Sequence, residues 1–190
     1  MTDRAIFLTH AEVQIDPDVP VPDWGLSEQG RTRHARFATS DDCAPVTMLF
    51  CSDERKARDG AEITSKAIGV APVIRPLLGE NDRSATGYLP KLEFEAMADA
   101  FFARPDEAVN GWERACDAQA RIVAAVAEAL AEPRPEGDVL FVSHGGVSAL
   151  LRCHLLGIPI TRAQDQPAGG GCWFSFAPDL TSPPTEWRVI

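Results

Sequence analysis

No apolar run in this sequence is long enough to cross a bilayer, and nothing near its start reads as a signal peptide. Met1-Thr2-Asp3-Arg4 leads straight into a short strand-like segment. Positive charge is scarce: 18 lysines and arginines stand against 28 acidic residues, for a formal net charge of -10. Such a chain repels nucleic acid and anionic lipid at long range, so neither nucleic acid nor a membrane is expected as a partner. An anionic ligand would need a local basic pocket. No two of the five cysteines (Cys43, Cys51, Cys116, Cys153 and Cys172) have C-x-x-C spacing, and an odd number cannot all pair. They read as reduced and mostly structural, which points to the cytoplasm. Internal repeats, long low-complexity segments and linkers are also missing. The 190 residues fit a single domain, 1–190, with a proper core.

What is present alternates. Short, continuously apolar runs read as strands: Ala5 to Thr9, Val46 to Cys51, Val73 to Arg75 and Val139 to Ser143. That character suits a sheet buried on both faces. Ser27 reads as the N-cap of a helix reaching about Phe37, and Ser52 as the cap of another ending at Gly69. Trp112, Ala115, Ile122, Val126 and Leu130 mark a long helix. Val147, Leu150, Leu151 and Leu155 mark a further one after Gly146. Phe94, Met97 and Phe101 place a helix inside an insertion at about 81–111. Trp173 to Ala177 and Trp187 to Ile190 read as a terminal strand pair. The order implies a three-layer α/β/α sandwich with a mostly parallel sheet.

Two histidines stand at strand ends, in Ile6-Phe7-Leu8-Thr9-His10-Ala11 and Leu140-Phe141-Val142-Ser143-His144-Gly145. Parallel strands that end side by side would bring both imidazoles to one sheet edge, where ligands of open α/β sheets gather. His34, flanked by Arg31, Arg33 and Arg36, reads as part of a solvated helix face. His154 reads as a partly buried packing residue. Gly169-Gly170-Gly171 lacks the Lys-Ser/Thr of a P-loop and reads as a tight turn. No ligand cluster suggests a metal.

The chain resembles the histidine phosphatase superfamily, the phosphoglycerate mutase-like fold. Thr9-His10-Ala11 stands for its Arg-His-Gly, and Leu26-Ser27-Glu28-Gln29-Gly30 for its Leu-Thr-x-x-Gly. Ser52 to Ala61 stands for its Ser-x-x-x-Arg-Ala-x-x-Thr-Ala, Leu78-Gly79-Glu80 for Leu-x-Glu, and Ser143-His144-Gly145 for the late strand-His-Gly. The resemblance implies a phosphomonoester hydrolase needing neither metal nor cofactor. His10 would be the phosphoryl-accepting nucleophile, His144 a donor to the phosphoryl oxygens, and Glu80 the acid, with Asp82 as its competitor. Thr9, Lys56 and Arg83 would contact phosphate. The substrate would be a phosphorylated small molecule or a phosphoprotein; the sequence sets no oligomeric state. Thr9 and Lys56 replace arginines, removing a charged bidentate clamp and a planar fork. A weakened member that binds phosphorylated ligands without turnover is therefore an alternative, and mutase-like phosphoryl transfer a third.

Overall fold

The computed structural model describes residues 3–190; Met1 and Thr2, placed above ahead of the first strand, lie outside the described residues. Its strands are β1 (Ala5–Thr9), β2 (Val46–Cys51), β3 (Pro72–Ile74), β4 (Asp138–Ser143), β5 (Cys172–Phe176) and β6 (Arg188–Val189). They lie in the order β3-β2-β4-β1-β5-β6. The first four are mutually parallel, whereas β5 runs antiparallel to β1 and β6 antiparallel to β5. Parallel neighbours need crossovers, and helices supply them. These are α1 (Glu28–Ala38), α2 (Arg55–Ile68), α4 (Ala115–Ala131) and α5 (Gly145–Leu155), with α3 (Lys91–Ala103) in the segment before α4.

Strand periodicity sorts the core into two layers. Ile6, Leu8, Leu49, Leu140 and Val142 face α1 and α2, meeting Phe37, Ala57 and Ala61. Ala5, Phe7, Phe50, Phe141 and Phe174 face α4 and α5, meeting Ile122, Val126, Val147 and Leu151. The register sets Phe7 opposite both Phe141 and Phe174, and Phe50 opposite Phe141. One phenylalanine from each of four adjacent strands thus forms a ladder, with centroid spacings of 5.4, 6.2 and 5.8 Å. Each buried ring contributes about 1.5–3 kcal/mol by leaving water. This dry centre fixes where the carboxyl ends of β1, β2 and β4 emerge.

Three local expectations change. Helix α2 starts at Arg55 with Glu54 as its N-cap, while Ser52 Oγ accepts the Glu54 N–H at 3.2 Å one turn earlier. Trp112 precedes α4; it is buried and donates its indole N–H to Thr86 Oγ1. His154 is exposed on α5, whereas Leu151, Arg152, Cys153 and Leu155 beside it are buried. The Arg152 guanidinium donates to the Thr185 carbonyl at 2.7 Å and stacks on Phe174 and Trp187. A charged side chain with such partners is cheaper to bury than its residue type suggests. No described helix is long and apolar enough to cross a membrane.

Candidate active site

His10 and His144 meet. Their strands pair in register, Thr9 opposite Ser143, and the His10 N–H donates to the Ser143 carbonyl at 3.0 Å. The two rings lie edge to face, 5.3 Å between centroids. The His10 backbone is held from the other side too, its carbonyl accepting the Gly171 N–H at 2.8 Å. His10 Nδ1 lies 2.9 Å from the Ala11 carbonyl, an acceptor only, so the proton belongs on Nδ1. Nε2, which has no hydrogen-bond partner among the described residues, keeps its lone pair. Burial, helped by the nearby Lys56 charge, lowers His10 from 6.5 to about 4. Burial likewise lowers His144 from 6.5 to about 3. Both rings are therefore neutral at physiological pH.

The second histidine is tied to the β2–α2 turn. His144 Nε2 lies 2.8 Å from Ser52 Oγ and 3.3 Å from Glu54 Oε1. Its Nδ1 is buried with no partner among the described residues. Glu54 also accepts the Glu80 N–H at 3.0 Å and pairs with the Lys56 ammonium. Lys56 is 3% exposed and donates to the Val21 carbonyl at 2.9 Å. Burial opposes the Glu54 charge, yet His144, Lys56 and the Glu80 N–H hold its carboxyl down to about 2. Lys56 is therefore close to the histidines, but its charge is already balanced by a carboxylate.

Glu80 reaches the same place from the loop after β3. Its oxygens accept N–H groups from Gly146 and Val147, each at 3.0 Å, and from Asn81 at 3.1 Å. The carboxylate sits on the positive end of α5. Gly146 makes this possible, since a Cβ there would stand 2.7 Å from Glu80 Oε1. Arg121 of α4 fixes the loop by donating to the Leu77, Gly79 and Glu80 carbonyls. Asp82, the rival acid, is exposed, and hydrogen bonds from Ser84 lower its carboxyl. That makes it a poor proton donor.

Thr9 is fully buried and turns toward β5. Its hydroxyl accepts the Cys172 N–H at 3.0 Å and donates to Gln166 Oε1 at 2.5 Å. Its one O–H donor is therefore committed inside the fold and is not available to a phosphate oxygen. Gln166 instead presents its amide nitrogen beside Gly145, where a Cβ would come within 2.4 Å of Nε2. A 230 Å³ cavity over His10 is lined by Glu80, Arg83, Trp112, Asp165 and Gln166 among others. Arg83 lies over the Phe94 and Trp112 rings, at 5.2 and 5.7 Å, and makes no ion pair among the described residues. Asp165 is half-buried, and burial raises its carboxyl.

Sequence reading gathered His10, His144, Glu80, Lys56 and Arg83 at one edge and offered Asp165-Gln166-Pro167 as a pocket mouth, but it gave Glu54, Gln166 and Asp165 no role. It also misplaced His34, which is fully buried on the α2-facing side of α1. Gly30, His34, Phe37 and Ala38 share that buried face, a helical spacing that the flanking arginines obscured. Among the described residues, no group of three or more His, Cys, Asp or Glu side chains could hold a metal.

The family model described as "Histidine phosphatase superfamily (branch 1)" matches residues 6–179. No curated protein sequence matches. Among solved structures, a mycobacterial glucosyl-3-phosphoglycerate phosphatase bound to inorganic phosphate is 25% identical, with a TM-score of 0.76 over 100% of this chain and 96% of its own. A mycobacterial hydrolase is also 25% identical, at 0.76 over 100% of this chain and 97% of its own. Bacillus stearothermophilus YhfR shares the fold, with 23% identity and a TM-score of 0.75 over 92% of this chain and 90% of its own.

Proposed function

Because the chain belongs to the histidine phosphatase superfamily, we propose that it hydrolyses a phosphomonoester through a phosphohistidine on His10. The observation that carries this reading is the His10 ring: Nδ1 bonded to the Ala11 carbonyl, Nε2 free beside His144. The Nε2 lone pair attacks phosphorus, and the ester P–O bond breaks. The leaving oxygen takes a proton from a carboxyl group. Water then attacks the same phosphorus, the P–N bond breaks, and its electron pair returns to Nε2. The water's proton goes back to the carboxylate and orthophosphate leaves.

Two carboxyls of the His10 cavity could hold that proton. Glu80 lines that cavity and accepts three backbone N–H groups. Burial raises the Asp165 carboxyl, which favours its protonated form. Glu80→Gln and Asp165→Asn separate them: loss of the true acid slows an alkyl phosphate far more than an aryl phosphate whose leaving group needs no proton. Arg83 and the Gln166 amide are the uncommitted donors for the phosphoryl oxygens. Lys56 contributes charge only to the extent that Glu54 releases it. The phosphatase named above acts on a phosphorylated small molecule, and this chain fits the same substrate class. Five free cysteines support a reducing, cytoplasmic setting.

The Glu54–Lys56 pair favours a second reading, a slow enzyme or a module that binds phosphorylated ligands without turnover. Incubation with an aryl phosphate, followed by detection of acid-labile phosphate, distinguishes the two. Covalent phosphate that disappears in His10→Ala supports the hydrolase. Phosphate binding without covalent label supports the module.

A further inference from the structure

His34 is a fully buried imidazole that the proposed chemistry does not use. Its Nε2 accepts the Ala11 N–H at 3.2 Å. The same Ala11 peptide offers its carbonyl to His10 Nδ1 at 2.9 Å. One peptide group therefore links two rings, accepting from His10 and donating to His34. A neutral His34 whose Nε2 accepts must carry its proton on Nδ1, and that nitrogen is buried with no partner among the described residues. An apolar side chain would fill the same volume without stranding a buried N–H. The arrangement makes sense if the acceptor at Nε2 is what the position requires. Burial, with Arg33 adding to it, lowers His34 to about 4, which keeps that lone pair available.

The neighbouring helix makes room for the ring. Gly60 of α2 faces it so closely that a Cβ would stand 2.5 Å from His34 Cε1. Ser27 caps α1, and its own N–H donates to the Glu12 carbonyl at 2.9 Å. The helix carrying His34 is thereby anchored to the loop carrying His10.

We infer that His34 is a positioning residue, which fixes the Ala11 peptide so that its carbonyl holds His10 in the Nδ1–H form with Nε2 free. Hydrogen bonds at the two ends of one peptide polarise each other, so loss of the His34 contact weakens the hold on His10. The inference rests on His10 as the nucleophile only for its consequence; the tautomer itself can be read without turnover.

The test uses protein with 15N-labelled histidine, whose ring shifts distinguish Nδ1–H from Nε2–H. Wild type should show His10 as Nδ1–H, with the resonance identified by its loss in His10→Ala. His34→Leu keeps the volume and removes the acceptor; His10 should become a tautomer mixture, and phosphohistidine formation should slow about tenfold. His34→Gln, whose amide oxygen can accept from Ala11, should restore both. Gly60→Ala should reproduce the Leu effect by pushing the ring away. His34→Ala combined with Gly60→Ala relieves the crowding and provides a second acceptor-free variant if the Leu variant does not fold. Wild-type His10 shifts in an acceptor-free variant would overturn the inference and leave His34 as filler. A tautomer change in a protein that forms no phosphohistidine would instead sink the hydrolase reading and leave the positioning role intact.

Discussion

Two strand-to-helix turns open onto the same sheet edge, and they treat their functional side chains in opposite ways. At the β1 turn, every polar neighbour of His10 leaves Nε2 unspent. The backbone is clamped by Ser143 and Gly171, and Nδ1 is taken by Ala11. At the β2 turn, the cation is consumed. Lys56 is paired with Glu54 and bonded to the Val21 carbonyl, while Glu54 also reaches toward His144. Residue type and position are equally favourable in both turns. The partner decides whether the group is available, and a carboxylate two residues before Lys56 balances what the position supplies. The β1 turn leaves an imidazole nitrogen free, and the β2 turn spends its cation inside the fold.

The comparison breaks most visibly at Glu54. Glu54→Ala leaves the Lys56 ammonium buried and unpaired, which should cost about 3–5 kcal/mol in urea unfolding. A loss below about 1 kcal/mol would mean that Lys56 is solvated and free for ligands after all. Acid is the next probe. His34 and His144 are buried with lowered pKa values, so the unfolded chain binds protons that the folded chain refuses. Stability is complete above 6.5 and falls as pH drops toward 4 for His34 and toward 3 for His144. At pH 5 each should cost about 2 kcal/mol relative to pH 7.5. A denaturant midpoint unchanged between pH 7.5 and 5 would contradict this.

A smaller effect is expected at Thr9. Thr9→Val strands the Cys172 N–H and frees the Gln166 amide, a loss of about 1–3 kcal/mol. An arginine placed there would displace both contacts and would not rebuild a clamp. A Thr9→Arg variant with wild-type stability would show that the position opens to the cavity. The subtlest change is Glu54→Gln, which retains an acceptor for the Glu80 N–H while removing the charge. Calorimetry with inorganic phosphate should show affinity rising about tenfold, as a negative neighbour is lost and Lys56 is released. Weaker binding would make Glu54 a supporter of the anion site.

The layered fold and the paired histidines were legible because strand periodicity and parallel register are local patterns with one spatial outcome. Phe7, Phe141 and Phe174 fall opposite one another whenever β1, β4 and β5 pair as their apolar runs demand. Glu54, Gln166 and His34 were not legible, because their roles depend on what approaches from elsewhere. Glu54 matters through His144, ninety residues away in sequence. Gln166 matters because Thr9 orients it. His34 matters because Gly60 lacks a side chain. Thr9, expected to contact phosphate, spends its hydroxyl joining β1 to the start of β5.

The central claim is that His10 keeps a free Nε2 for phosphorus. Protein quenched in alkaline denaturant during exposure to an aryl phosphate should carry base-stable phosphate at His10 that acid then releases, and His10→Ala should carry none. An unlabelled wild type that still releases phosphate from the aryl ester, or a label that persists in His10→Ala, would contradict it.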